Sequence, residues 1–264
     1  EYHRNEDFVK VLVMPVPVKM PLYQIVLRRI GRHAILYQEV LQMKTYLFDF
    51  DGTLVDSMPT YVSSMLRILD ENHIPYEKDI VKVITPLGMA GTAEYYIHMG
   101  LDLPKENIID LMKDYMMEAY FYTIPAKNHV IPVLRELKAN GADLNVLTAS
   151  PHVTLDACLK RLGIYDVFTH VWSCDDFETT KADPEIYRMA ADKIGQRVEN
   201  ILFLDDNLNA DKTAKSAGMK VCGVYDDFSR DYAGEIKKIA DRYIYDFSEL
   251  LDETSGTKIL QREV

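Results

Sequence analysis

From Thr45 onward the chain alternates short, nearly continuous apolar runs with stretches whose apolar positions recur every three or four residues. The runs at 45–50, 144–148, 170–173, 201–205 and 220–225 have the make-up of strands covered on both faces, as a parallel sheet requires. The stretches 129–140, 153–162, 184–194 and 209–217 carry the helical period. Each is followed by a glycine (Gly141, Gly163, Gly195, Gly218) suited to closing a helix. Strands alternating with helices of this length predict an α/β fold, a doubly wound, Rossmann-like parallel sheet.

Two segments depart from that rhythm. Residues 58–127 hold no convincing strand; helices are predicted over 57–72, with Ser57 as N-cap and Pro59 in the first turn, and over 92–98 and 105–122. An all-α unit is thus inserted directly after the first strand. Residues 1–42 keep no regular period before about position 23, and Pro15, Pro17 and Pro21 interrupt them. We expect 1–42 to be an extension, tag-like or upstream of the functional start near Met43, in preference to a helix packed on the domain. The organisation predicted is a core of 43–57 and 128–250, a helical insertion of 58–127, and a tail of 251–264.

Charge narrows the function. The 264 residues carry 30 Lys+Arg against 41 Asp+Glu, a net charge of −11, and the six basic and four acidic residues of 1–42 leave −13 on the remainder. An acid excess opposes nucleic-acid binding through a basic surface. Cys158, Cys174 and Cys222 are too few and too widely spaced for a disulfide framework or a zinc pattern, which points to reduced thiols and a cytoplasmic location. No apolar run reaches membrane-spanning length, and the N-terminal segment lacks the shape of a signal peptide. No membrane or nucleic-acid partner is expected, and a monomer or homodimer is.

The candidate chemistry collects where predicted strands end. The first run leads into Asp49-Phe50-Asp51-Gly52-Thr53-Leu54-Val55-Asp56-Ser57, with two carboxylates at the strand edge where open α/β sheets place ligands, then a glycine that permits a tight turn. The second ends in Thr148-Ala149-Ser150, and the fourth in Asp205-Asp206, with Asp211 beyond. Lys181 precedes the helix that begins at Pro184. Singly, these are an Asp-Gly turn, a capping hydroxyl, a surface lysine and a helix-capping acid pair. Together they combine hard oxygen ligands for Mg²⁺ (Asp49, Asp206) with donors for phosphate oxygens (Thr148, Lys181).

In these four ordered motifs the sequence resembles the haloacid dehalogenase superfamily in its magnesium-dependent phosphatase branch, over about 43–250. The insertion resembles that family's first type of helical cap, and the first motif is most similar to the phosphoglycolate phosphatase group. The resemblance implies a Mg²⁺-dependent phosphatase acting on a small phosphorylated metabolite. Asp49 would be the nucleophile and Asp51 the general acid/base, with its backbone carbonyl on the metal beside Asp49 and Asp206. Lys181, Thr148, Ala149 and the Gly52 amide would hold the phosphoryl group, and Asp205 would be an outer ligand. Two positions depart from the family pattern: Ala210 stands where relatives carry Gly or an acid, with Asp211 one residue later, and Ala182 stands where relatives often have Pro. The outer ligand is therefore open between Asp205 and Asp211. In the cap, 85–92 reads as a Gly-rich loop whose Gly88 and Gly91 would meet the leaving group, and the Met/Tyr stripe around 111–122 reads as cap core. A phosphomutase of the β-phosphoglucomutase type and a non-catalytic regulator on the same scaffold are the alternatives.

Overall fold

A computed structural model describes residues 44–251; the predicted extension and nearly all of the tail lie outside the described residues. Six parallel strands form one sheet in the order β3-β2-β1-β4-β5-β6: β1 (Thr45–Phe48), β2 (Asp143–Thr148), β3 (His170–Ser173), β4 (Ile201–Asp205), β5 (Lys220–Val224) and β6 (Arg242–Ile244). Side chains of β1 alternate between faces, so Tyr46 and Phe48 enter one core and Leu47 the other. This explains the near-continuous apolar runs: both faces are covered by helices. Helices α5 (Val130–Ala139) and α6 (His152–Arg161) supply one core, and α7 (Pro184–Ile194) and α8 (Leu208–Ala217) the other.

The insertion is all helical: α1 (Met58–Glu71), α2 (Ile80–Ile84), α3 (Gly88–His98) and α4 (Lys105–Tyr122), around a separate core that includes Met65, Ile68, Ile84, Tyr96, Ile108 and Met112. Helix α4 divides its loyalty. Its middle packs in the insertion's own core, while Ala119 and Tyr120 in its last turn, with Ile124 beyond it, pack into the sheet's core beside Leu155, Cys158 and Leu159 of α6.

Three expectations are corrected. Residues 85–92 are not a loop: Thr85–Leu87 form a 3-10 turn and Gly88 begins α3. Gly88 takes the left-handed φ of 63° that starts the new helix, and a Cβ at Gly91 would meet the Leu87 Cβ at 2.9 Å, so both glycines serve a sharp helix junction. Ser57 does stand at the N-cap of α1, but its side chain makes no capping bond: its backbone is already helical (φ −86°, ψ −23°) and its buried Oγ has no partner among the described residues. The first strand ends at Phe48, two residues short of the expected bound, with only the Asp49 N–H still bonded to β4. Helix α9 (Ala233–Ile239) and β6 complete the sheet edge; neither was read in the sequence, since β6 is three residues long and begins with Arg242.

Candidate active site

Chain order places strands β2 and β3 on one side of β1 and strands β4 to β6 on the other, so the connections reverse direction between β1 and β4. At such a reversal the following loops diverge and leave a crevice at the strands' carboxyl ends. Phe48 is in register with Leu204, and the Asp49 N–H donates to Leu204 O at 2.8 Å, which sets Asp49 beside Asp205. Asp49, Asp205 and Asp206 each bring a carboxylate oxygen within 4.8 Å of the others.

Lys181 reaches this cluster from the loop before α7. Asp183 caps that helix by accepting the Glu185 N–H at 2.9 Å, and Pro184 follows in the first turn. The Tyr187 hydroxyl lies 3.2 Å from the Lys181 carbonyl and 3.2 Å from the Ala210 carbonyl, tying the loop to α8. The Lys181 Nζ donates to Asp49 Oδ1 at 2.5 Å and to Asp205 Oδ2 at 2.7 Å. Burial opposes its charge, but Asp205 and Asp49 outweigh burial and hold the ammonium well above its usual range. Burial pushes the Asp49 carboxyl up to about 7 against the pull of Lys181, with Asp205 adding to the rise. Burial, Asp205 and Asp49 likewise raise Asp206 well above the carboxylate range. Three acids around a single ammonium are under-neutralised, and such a cluster favours protons or a cation.

Asp206 is held against the first motif. The Thr53 hydroxyl donates to its Oδ1 at 3.2 Å. Gly52, at φ 74°, lies so close that a Cβ would sit 2.7 Å from either Asp206 oxygen. The Gly52 N–H, expected to face a phosphoryl oxygen, donates instead to Val55 O at 3.0 Å and closes the turn. Thr148 is buried, and its Oγ1 accepts the Ser150 N–H at 3.1 Å, which leaves its own O–H to donate; Ala149 beside it is exposed. The Asp51 side chain is held elsewhere: its Oδ1 accepts the Tyr120 hydroxyl at 2.6 Å and its Oδ2 the Ser150 hydroxyl at 2.5 Å.

Asp205 and Asp211 stand in different places. Asp205 belongs to the cluster, but Lys181 takes its Oδ2 and the Asn207 N–H takes its Oδ1 at 2.7 Å. Asp211 is fully buried, both its oxygens lack a hydrogen-bond partner among the described residues, and it lies outside the group formed by Asp49, Asp205 and Asp206. Burial, then Asp205 and Asp206, push its carboxyl well up. Thr53, Ser150 and Tyr120 were given no role in the sequence reading. Thr53 and Ser150 lie within the strand-end motifs, whereas Tyr120 lies in the Met/Tyr stripe whose pattern predicts cap core.

Residues 46–224 match the model of the haloacid dehalogenase-like hydrolases. The chain belongs to that family. It is a haloacid dehalogenase-like hydrolase of the phosphatase type. It is 30% identical over 179 residues to the pyrophosphatase PpaX of Bacillus velezensis, covering 67% of this chain and 81% of that one. It is 26% identical over 231 residues to a phosphoglycolate phosphatase of Salmonella choleraesuis, covering 77% and 89%. A Thermotoga maritima chain named as a β-phosphoglucomutase candidate shares the fold with a TM-score of 0.70 at 21% identity, over 84% of this hydrolase and 100% of that chain. Among the described residues no helix is long and apolar enough to cross a membrane.

Proposed function

We propose that this hydrolase is a Mg²⁺-dependent phosphatase that cleaves a small phosphomonoester through an aspartyl-phosphate on Asp49. The observation that supports the reading best is the Asp49–Lys181–Asp205 bridge at the sheet's reversal point, with Asp206 alongside. Lys181 neutralises the carboxylate that must approach a phosphate dianion, and it supplies an ammonium for the phosphoryl oxygens.

The donor set suits a hard divalent cation, because it consists of carboxylates with a surplus of negative charge. Asp49 and Asp206 would hold the ion, with the Asp51 carbonyl completing the protein's share. Asp205, whose oxygens are both engaged, would fix Lys181 and lie outside the inner ligands. When bound, Mg²⁺ would screen the repulsion between the carboxylates and the phosphate and balance charge as the ester bond breaks.

The residues divide the two chemical steps. An Asp49 oxygen forms a bond to phosphorus as the ester P–O bond breaks, and Asp51 gives its proton to the departing alkoxide. Asp51 then takes a proton from water as that water's oxygen attacks phosphorus, the Asp49–phosphorus bond breaks, and inorganic phosphate leaves. The Thr148 hydroxyl, the exposed Ala149 segment and Lys181 would hold the phosphoryl oxygens throughout.

The test is phosphate release by the purified chain from a panel of phosphorylated metabolites, with Mg²⁺ and with chelator, including phosphoglycolate, pyrophosphate and β-glucose 1-phosphate. The expected result is Mg²⁺-dependent release from a monoester that Asp49→Asn lowers by at least ~10³-fold. Full activity in Asp49→Asn would exclude the aspartyl-phosphate, and conversion of β-glucose 1-phosphate to its 6-phosphate without net phosphate release would replace the phosphatase by a mutase.

A further inference from the structure

Asp51 touches two segments that no family motif explains together. Both of its carboxylate oxygens accept from hydroxyls, Tyr120 on one side and Ser150 on the other. Ser150 belongs to the loop after β2, and its N–H also rests on the Thr148 hydroxyl. Tyr120 comes from the last turn of α4, the helix that in sequence belongs to the cap.

Tyr120 is not a mobile cap residue in this setting. Its side chain is buried, with 8% exposure, and its ring stacks on Phe50 at 5.9 Å and 25°. The guanidinium of Arg161 in α6 donates from Nε to the Tyr120 carbonyl at 3.2 Å and from Nη2 to the Ile124 carbonyl. Ring, backbone and hydroxyl are thus all fixed to the core. Burial and the charge of Asp51 push the phenol well above its usual range, so it remains an O–H donor.

We propose that Tyr120 is a positioning residue for the acid/base: with Ser150 it fixes the Asp51 carboxylate between a cap-borne phenol and a core hydroxyl. The proposal rests on the acid/base reading of Asp51 given above. A purely structural Tyr120 would need its ring for packing and a partner for its hydroxyl, and any acceptor would serve. A positioning Tyr120 makes a narrower demand. Losing only its hydroxyl must impair proton delivery to the leaving group, and the impairment must grow as that group becomes a poorer one.

The experiment compares wild type, Tyr120→Phe, Ser150→Ala and Asp51→Asn on a series of aryl and alkyl phosphates with Mg²⁺, reading kcat/KM, which reports phosphoryl transfer to Asp49. Tyr120→Phe keeps the Phe50 stack and removes only the donor. The expected result is a loss that steepens with leaving-group pKa in Tyr120→Phe and Ser150→Ala, reaching about tenfold for the alkyl esters with KM little changed, in the same sense as a larger loss in Asp51→Asn. If Asp51→Asn shows that steepening while Tyr120→Phe shows no loss, or one uniform across the series, the positioning role is overturned and the acid/base reading stands. If Asp51→Asn matches wild type on every ester, the acid/base reading falls and takes the proposal with it. Should Tyr120→Phe fail to fold, Ser150→Ala applies the same comparison to the other oxygen, and a uniform loss there overturns the proposal.

Discussion

Gly52 and Asp206 approach each other so closely that a Cβ on Gly52 would stand 2.7 Å from both Asp206 oxygens and 2.8 Å from the carboxyl carbon. The turn of the first motif and the end of β4 therefore share a single space, and the glycine's φ of 74° adds a conformational demand. Gly52→Ala is expected to push Asp206 off its Thr53 hydrogen bond and to weaken Mg²⁺ binding more than it weakens folding. The check is the Mg²⁺ concentration for half-maximal activity, which should rise by about tenfold, beside an unfolding free energy in chelator that falls by only ~1–2 kcal/mol. An unchanged Mg²⁺ requirement would show that Asp206 does not depend on this contact.

Lys181 balances Asp49 and Asp205 in a setting where its own side chain is 15% exposed and Asp205 is fully buried. Replacing it with Met leaves two buried carboxylates facing one another. Urea unfolding in chelator is expected to show a loss of about 3 kcal/mol, with turnover essentially abolished. Added Mg²⁺ should recover part of the stability and none of the turnover, because it restores charge but no donor to the phosphoryl oxygens.

The acid cluster also predicts a pH dependence. Asp49 rises from an ordinary 3.8 to about 7 in the folded, cation-free protein, chiefly through burial. The folded state then holds that proton more tightly than the unfolded chain does. The stability linked to it is full at low pH and declines as pH rises from about 4 to about 7. On the function proposed above, Mg²⁺ would bind the deprotonated cluster, so its stabilising shift should be small near pH ~5 and large near pH ~8. Melting curves at the two pH values, with and without Mg²⁺, test this. Asp49→Asn should flatten the cation-free profile, and an equal Mg²⁺ shift at both values would count against the cluster as the binding site.

Lys127, at the return from cap to core, donates to Gly52 O at 2.7 Å, Tyr225 O at 2.7 Å and Asp226 Oδ2 at 3.0 Å. It thereby clamps the first motif's turn to the end of β5. Lys127→Met leaves two carbonyls and a buried carboxylate without their donor. We expect a loss of about 2–3 kcal/mol in unfolding free energy and a fall in kcat larger than any change in KM. Equal stability of variant and wild type in denaturant titrations would refute the clamp.

The sequence exposed the core of this site because each acid or hydroxyl ends an apolar strand run, and a parallel sheet brings such ends to one edge. Asp49, Thr148 and Asp205 were legible for that reason, and Lys181 because it precedes a proline-started helix. Tyr120 was not legible. A tyrosine in a Met/Tyr stripe has the same pattern whether it faces the cap's core or the sheet's, and only the docking of α4 on α6 decides. The segment 85–92 misled for a related reason: Gly88 and Gly91 signal a loop by composition, yet one glycine supplies a left-handed junction and the other a close helix contact. Asp205 and Asp211 stayed ambiguous because the direction of Asp211 depends on which face of α8 turns inward, which sequence leaves open until the helix is packed.

Helix α4 is a single rod of 18 residues whose last turn is seated in the sheet's core and whose earlier turns belong to the cap. A rod fixed at one end is a lever. With its fulcrum near Ala119, a tilt of ~10° carries Lys105, roughly 20 Å away, through about 4 Å while Tyr120 scarcely moves. The Tyr120–Asp51 contact would then stay in place while the insertion's outer end shifts over the core.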